Sequence, residues 1–166
     1  SFSRATETIE NLLKNKIIGT YISMTLSNFR SIKVFVTGEV MKPGLYTISP
    51  LSSVINALFT TGGINVTGSL RNIEVKRKGQ TVTVFDLYSL LLEGDSSKDI
   101  KLQDGDVIFI PSKTKSAGIA GEVLRPGIFE MRDDENLSHL VAFAGGLSPK
   151  ASDSAEVVRV SQETKS

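Results

Sequence analysis

Apolar and polar positions alternate over several short stretches of the chain, and this alternation predicts strands. Residues 33–37 read Lys-Val-Phe-Val-Thr, a β-branched and aromatic run typical of a strand. Residues 45–48 (Leu-Tyr-Thr-Ile) predict a returning strand. Between them, Pro43 fixes φ near −65° and Gly44 permits positive φ, which suits a type II turn. The segment is therefore predicted to form a hairpin.

A helical period follows this hairpin. Apolar residues recur three and four positions apart between residues 54 and 61, which places them on one face of a helix. Ser49 is expected to be its N-cap, with Pro50 at the first helical position. Gly62 and Gly63 are expected to end the helix in left-handed geometry.

The next stretch predicts more strands and one short helix. Residues 71–76 alternate as a half-buried strand, residues 78–80 form a turn, and residues 81–85 form the answering strand. Asp86 is expected to cap a short helix that ends at Gly94, and the strand 107–110 follows an Asp-Gly turn. A small twisted sheet with one helix across one face is an α+β, β-grasp-like arrangement.

The sequence repeats with a spacing of 83 residues. Residues 38–46 (Gly-Glu-Val-Met-Lys-Pro-Gly-Leu-Tyr) recur as residues 121–129 (Gly-Glu-Val-Leu-Arg-Pro-Gly-Ile-Phe), and the paired glycines recur at the same spacing. The chain is therefore predicted to hold two tandem β-grasp-like modules. The structural signature positions are Gly38, Pro43, Gly44, Gly62, Gly63, Gly121, Pro126, Gly127, Gly145 and Gly146.

The repeat divides the chain. Residues 5–26 do not match it and read as a helix followed by a strand. The second copy stops at Ser166, before a counterpart of the Asp-Gly-Asp strand, so we expect it either to be truncated in this chain or to be completed by a strand from elsewhere. The expected boundaries are 1–30 for the end of a preceding domain, 31–111 for the first module, 112–116 for a polar linker and 117–166 for the second module.

Composition narrows the function classes. The 166 residues are 40% hydrophobic and 22% charged, as in an ordinary folded domain. A net charge of +1, from 19 basic and 18 acidic residues, argues against a nucleic-acid partner. The absence of cysteine excludes disulfides, thiolate nucleophiles and cysteine metal sites from this stretch.

Candidate catalytic chemistry is sparse. His139, the single histidine, falls on the polar side of the repeated helix without a partnering nucleophile, so we expect a surface residue. The Asp-Gly-Asp at 104–106 lacks the alternating ligands of a calcium loop and reads as a turn. Phosphate-binding glycine loops are absent. We therefore predict no catalytic residue, no cofactor and no metal.

Three signatures together resemble the SLBB (soluble-ligand-binding β-grasp) module. They are Val-x-Val-x-Gly-Glu-Val-x-x-Pro-Gly-x-Tyr, an apolar helix ending in Gly-Gly, and Asp-Gly-Asp before a final strand. The first copy carries all three and the second carries two. With the leading helix and strand, the order is similar to the outer-membrane polysaccharide export proteins of Gram-negative bacteria.

That resemblance implies a non-enzymatic periplasmic part of a capsule or exopolysaccharide export channel. It implies a homo-oligomer whose modules form rings around the polysaccharide, association with the outer membrane through parts outside this chain, and an inner-membrane polysaccharide co-polymerase as a further partner. The alternative is a soluble ligand-binding β-grasp module, for a small molecule or carbohydrate, of another periplasmic or electron-transport protein.

A basic cluster is the remaining candidate for a binding site. Lys76, Arg77 and Lys78 form the tip of a predicted hairpin, where a charged turn that discourages edge-to-edge pairing is the ordinary interpretation. The functional interpretation is a contact for anionic polysaccharide or for a neighbouring subunit. Nucleic acid is disfavoured because no aromatic residue is interleaved with the cluster.

Overall fold

The computed structural model describes residues 30–152 and 154–158. All of the described helices and strands belong to the compact unit of residues 32–166. The helix and strand expected within residues 5–26 lie outside the described residues.

Ten regular elements make up the described part. The strands are β1 (Ile32–Gly38), β2 (Gly44–Ile48), β3 (Ile73–Arg77), β4 (Gln80–Phe85), β5 (Val107–Ile110), β6 (Ser116–Ile119) and β7 (Gly127–Glu130). The helices are α1 (Val54–Thr60), α2 (Leu87–Glu93) and α3 (Leu137–Phe143). Within the described residues, no helix has both the length and the apolar content needed to cross a bilayer.

The strands form two sheets. The first is mixed, in the order β2-β1-β5-β3-β4, with β1 antiparallel to β2 and parallel to β5, and β3 antiparallel to both β4 and β5. The second is the antiparallel pair β6–β7. We call the first sheet with α1 and α2 the first module, and the second sheet with α3 the second module. This arrangement confirms the predicted α+β class with two sheet-plus-helix modules.

One apolar core lies on one face of the first sheet. Alternate residues of β1, β3 and β5 point into it, together with the apolar face of α1, as period-2 and period-3.6 patterns require. Full burial of a valine, leucine or isoleucine side chain contributes about 2 kcal/mol before entropy is counted. The core residues from these elements are Val34, Val36, Val54, Ala57, Leu58, Ile73, Val75, Ile108 and Ile110.

The predicted start of α1 was misplaced by a few residues. Ser49 and Pro50 form a turn in which the Ser52 N–H donates to the Ser49 carbonyl at 3.0 Å. The N-cap of α1 is Ser53, whose N–H donates to the Asn56 side chain at 3.0 Å. Proline prefers the first helical position, but here the local turn ends the extended chain before the helix begins.

The corner between β1 and β2 also differs from its prediction. Gly44 has a φ of 159°, close to extended, and begins β2 instead of completing a type II turn. The left-handed residue lies earlier, at Gly38 with a φ of 87°, and the second copy repeats this at Gly121 with 92°. Gly127, at the start of β7, is not among the glycines with positive φ.

Both copies fold this corner in the same way. Val40 pairs with Ile64 in one copy, and Val123 pairs with Leu147 in the other. The paired glycines Gly62-Gly63 and Gly145-Gly146 all have positive φ, between 82° and 101°. Segments 83 residues apart therefore adopt equivalent backbones, in agreement with the sequence repeat.

Candidate functional site

The basic hairpin tip does not form one patch. Lys78 and Gly79 have φ of 51° and 80°, which fits a two-residue type I′ turn between β3 and β4. Successive strand residues point to opposite faces. Lys76 and Arg77 therefore leave the strand on different sides.

Arg77 is part of the first module's own structure. Its guanidinium holds the Asp106 carboxylate at both oxygens, each at 2.8 Å, and the Asp106 side chain is 0% exposed. The Gln103 N–H donates to the same carboxylate at 2.8 Å. The hydrogen bond to Asp106 raises the pKa of Arg77 and outweighs the effect of desolvation. This bidentate pair joins the end of β3 to the turn before β5.

The Asp-Gly-Asp segment is a turn in which both aspartates have structural partners. Asp104 accepts a hydrogen bond from the Lys33 N–H at 2.8 Å, and Asp106 is held by Arg77. No cluster of possible metal ligands occurs in the part of the chain that the structure describes.

Lys76 lies on the face of the first sheet opposite the core. It pairs with Glu74 at 3.0 Å, and its ammonium lies 4.9 Å from the centre of the Phe109 ring. Strand register places Phe35 beside Leu45 on one side and beside Val107 on the other. We call the surface formed by Phe35, Leu45, Lys76, Val107 and Phe109 the open face.

The open face is largely apolar and accessible. Phe35 is 46% exposed and Leu45 is 51% exposed. Neighbouring exposed apolar side chains are uncommon on a surface without a partner. Because Lys76 pairs with Glu74 there, the open face offers apolar area with a balanced charge pair at its side.

A second candidate site is the contact between the two modules, which we call the junction. At its centre is Arg71, whose side chain is only 7% exposed. Its guanidinium contacts Glu135 of the second module at 2.6 Å and Asp86 of the first at 3.2 Å. It also lies 4.9 Å from the ring centre of Tyr88 and 5.0 Å from that of Phe143. Each module therefore supplies the Arg71 guanidinium with one carboxylate and one aromatic ring.

Glu130 of β7 makes the second set of junction contacts. Its carboxylate accepts hydrogen bonds from the Ser69 hydroxyl at 2.6 Å and from the Leu70 N–H at 2.8 Å. Its own N–H donates to the Tyr88 hydroxyl oxygen at 3.0 Å. Both the side chain and the backbone of one residue thus bind the first module.

Arg132 completes the junction from the second module. It donates to the Arg71 carbonyl at 3.0 Å and lies 2.9 Å from the Asp86 carboxylate. Asp86 also caps α2 through the Tyr88 N–H at 2.9 Å, as the sequence predicted. One carboxylate therefore serves a helix cap and two guanidinium groups.

The charges of the junction alter its pKa values. Burial tends to raise the pKa of Glu135, but the Arg71 hydrogen bond and the Arg132 N–H outweigh it, so the pKa lies below its usual value. Desolvation tends to lower the pKa of Arg71, but the hydrogen bond to Glu135 and the charge of Asp86 raise it overall. Burial raises the pKa of Tyr88. The lowered pKa of Glu135 and the raised pKa of Arg71 show that the folded chain favours the charged form of both partners.

Glu135 lies directly before the N-cap of α3, but its carboxylate binds Arg71 and the Arg132 N–H and does not cap the helix. The N-cap of α3 is Asn136, whose side chain accepts from the Ser138 N–H at 3.0 Å. His139 is exposed, as expected, and its Nδ1 accepts from the Asn136 N–H at 3.2 Å.

A signal for the junction was present in the repeat. At the 83-residue spacing, Glu130 corresponds to Thr47, Glu135 to Ser52 and Phe143 to Thr60. Three residues that bind the first module are charged or aromatic in the second copy only. Side chains that are charged or aromatic in one copy only could therefore have indicated a contact that this copy makes outside its own fold.

The fold defines the class of protein. Each module is a small sheet with a helix, built on the same glycine-bounded corner, and models of the SLBB domain match residues 32–110 and 117–166. The chain carries two SLBB domains in tandem and belongs to that family.

The chain is similar to curated polysaccharide export proteins. It is 32% identical over 140 residues to the EPS I polysaccharide export outer membrane protein EpsA of Ralstonia solanacearum, covering 82% of this chain and 37% of the relative. EpsA of Ralstonia nicotianae is also 32% identical, with 82% of this chain and 36% of the relative covered. The polysialic acid transport protein KpsD of Escherichia coli is 33% identical over 110 residues, 66% of this chain and 20% of the relative. The chain thus spans between a fifth and about a third of these relatives.

Proposed function

We propose that this chain is a non-enzymatic part of a polysaccharide export channel, in which its two modules contribute to rings around the path of the polymer. The observation that carries the proposal is the tandem pair of SLBB domains together with the similarity to EpsA, which extends over 140 residues and so beyond one module. We propose accordingly that the protein lies in the periplasm, associated with the outer membrane.

A structural role agrees with how the charged groups are used. Asp106 is held by Arg77, and Asp86 and Glu135 are held by Arg71. General acid–base catalysis needs a titratable group within reach of a substrate. These buried carboxylates are instead bound by guanidinium groups, which supports a scaffold without catalysis of its own.

Within this role, we propose the open face as a contact with a neighbouring copy of the chain. Of the three basic residues at the hairpin tip, Arg77 is bound to Asp106 and Lys76 to Glu74, which leaves little charge for an anionic polymer. Phe35 and Leu45 instead offer adjacent apolar area of the kind found at the centre of protein interfaces. A subunit contact is therefore favoured over a polysaccharide contact.

The export role is tested in the organism with the full-length protein. Deletion of its gene is expected to abolish polysaccharide at the cell surface while polymer accumulates inside the cell, and complementation should restore export. Normal surface polysaccharide in the deletion strain would contradict the proposal. Cross-linking of the full-length protein to an inner-membrane polysaccharide co-polymerase tests the further partner.

The subunit contact is tested by Phe35→Lys in the full-length protein, with Lys78→Ala as the matched control. We expect Phe35→Lys to reduce the oligomer measured by mass photometry and Lys78→Ala to leave it intact. If Lys78→Ala instead lowered binding of the exported polysaccharide while Phe35→Lys left the oligomer unchanged, the polysaccharide contact would replace the subunit contact.

The alternative, a module that binds a small soluble ligand, predicts a different result. Such a module would be dispensable for export and would bind a small molecule or short carbohydrate in calorimetry. Intact export in the deletion strain together with such binding would favour this alternative.

A further inference from the structure

We propose that Arg71 is a positioning residue that locks the second module onto the first, so that the two modules keep one fixed orientation and unfold together. This inference concerns the junction and does not depend on what the protein exports. It follows from how much the second module relies on the first, and from the geometry around the guanidinium.

The described part of the second module has little core of its own. Its sheet has two strands, and a two-stranded sheet is marginally stable in water without further packing. Its buried apolar residues are Leu140 and Ala144, and the main core cluster consists of first-module residues. For the described residues of the second module, contact with the first module is therefore a large part of the packing that stabilises them.

Aromatic packing supplies part of that contact. Tyr88 of α2 and Phe143 of α3 meet edge to face at 5.3 Å, and Phe143 lies 6.3 Å from Phe129 of β7. Such pairs add to stability beyond the area that they bury. This aromatic contact alone, however, would still allow the second module to rotate relative to the first about the Tyr88 ring.

Arg71 removes this freedom. A guanidinium is planar and presents its N–H donors in a fixed fork, so each partner must lie in a defined direction. Here the fork binds Asp86 of one module and Glu135 of the other, while its central carbon lies over the rings of Tyr88 and Phe143. One relative orientation satisfies all four contacts.

Contacts beside Arg71 hold the same orientation. Glu130 binds Ser69 and the Leu70 N–H, and Arg132 binds the Arg71 carbonyl. A rotation about Arg71 would break these bonds and leave its buried charge short of a partner. Breaking one side of a buried ion pair is strongly destabilising.

The orientation can be measured because the chain has no cysteine to interfere with labelling. Lys98 and Ser138 are both exposed, one in each module, and Lys98→Cys with Ser138→Cys accepts two spin labels. Double electron–electron resonance should give one narrow distance distribution for the parent chain. Arg71→Lys keeps the positive charge but loses the fork, and should at least double the width of that distribution.

Arg77→Lys is the matched control, because it makes the same change in an ion pair that lies wholly within the first module. It should lower the melting temperature yet leave the distance distribution unchanged. If Arg71→Lys alters the distribution no more than Arg77→Lys does, Arg71 contributes only stability and the proposal is wrong. A broad distribution in the parent chain would also overturn it.

A second variant covers the case in which Arg71→Lys fails to fold. Glu135→Gln keeps the size of the partner and removes its charge, so the chain should stay folded by circular dichroism. We expect the distribution to broaden and the single calorimetric transition of the parent to split or widen. An unchanged width and a single sharp transition in this variant would contradict the lock.

Discussion

Gly38 lies directly against the carbonyl of Ile110. At this point β1 and the parallel strand β5 approach so closely that a β-carbon on Gly38 would overlap the Ile110 carbonyl oxygen. The Glu39 N–H donates to that same oxygen at 2.9 Å. Glycine is therefore required at this position for two reasons: the backbone has a positive φ, and the Ile110 carbonyl leaves no room for a β-carbon.

Gly121, the counterpart of Gly38 in the second copy, has the positive φ without the close contact. Gly121 has nearly the same φ, 92° against 87°, but a β-carbon there would meet no described atom within 4 Å. We expect Gly121→Ala to lower the free energy of unfolding by about 1–2 kcal/mol, the cost of positive φ. Gly38→Ala should cost clearly more, because β5 must also move. Urea denaturation measures both, and equal losses would contradict the assignment.

The sequence was sufficient to predict individual strands, turns and helix caps, which depend on residues close together in the chain. The Asp-Gly turn and the apolar run after it placed β5 at residues 107–110, as observed, and Asp86 was correctly predicted as the cap of α2. The contacts that join elements were not predicted. Arg77 and Asp106 are 29 residues apart, and Arg71 and Glu135 are 64 apart. In sequence these residues resemble solvated surface charges, because only the assembled sheets bring the partners together.

The Asp106 carboxylate should be a stability determinant, unlike its neighbour in the same turn. Asp106→Asn leaves one oxygen to accept from Gln103 but removes the charge that binds Arg77. We expect a loss of about 2 kcal/mol, the scale of a hydrogen bond to a charged group. Asp104→Asn keeps an acceptor for the exposed Lys33 N–H and should cost well under half of that. Chemical denaturation of both variants tests this, and a larger loss for Asp104→Asn would refute it.

Tyr88 should matter to the junction through its hydroxyl as well as its ring. Tyr88→Phe keeps the edge-to-face contact with Phe143 and the ring beneath the Arg71 guanidinium, but it removes the acceptor for the Glu130 N–H. An unpaired N–H at a partly buried site costs about 1–2 kcal/mol. The control is Tyr46→Phe, since the Tyr46 hydroxyl donates to the exposed Lys42 carbonyl, which water can serve instead. Thermal melts should separate the two variants, and indistinguishable melting temperatures would count against this role.

Acid should weaken the junction through Glu135. The pKa of this carboxyl is lowered in the folded chain, since the Arg71 and Arg132 contacts outweigh its burial. A carboxyl of lowered pKa binds fewer protons folded than unfolded, so its stabilising effect is present above the unfolded pKa, about 4.3. That effect is lost as pH falls further, through the folded pKa. Between pH 6 and pH 3 the parent chain should therefore lose more unfolding free energy than Glu135→Gln.

The comparison of the parent chain with Glu135→Gln isolates the titration of the Glu135 carboxyl. Arg71 stays charged over this range because an arginine remains protonated far above pH 6, and the glutamine side chain that replaces Glu135 in the variant does not titrate. The difference in unfolding free energy between the two chains should be constant above pH 6 and should shrink toward acid. Urea unfolding at each pH measures this difference. A gap that stays constant down to pH 3 would show that the Glu135 carboxylate gains nothing from the two guanidinium groups.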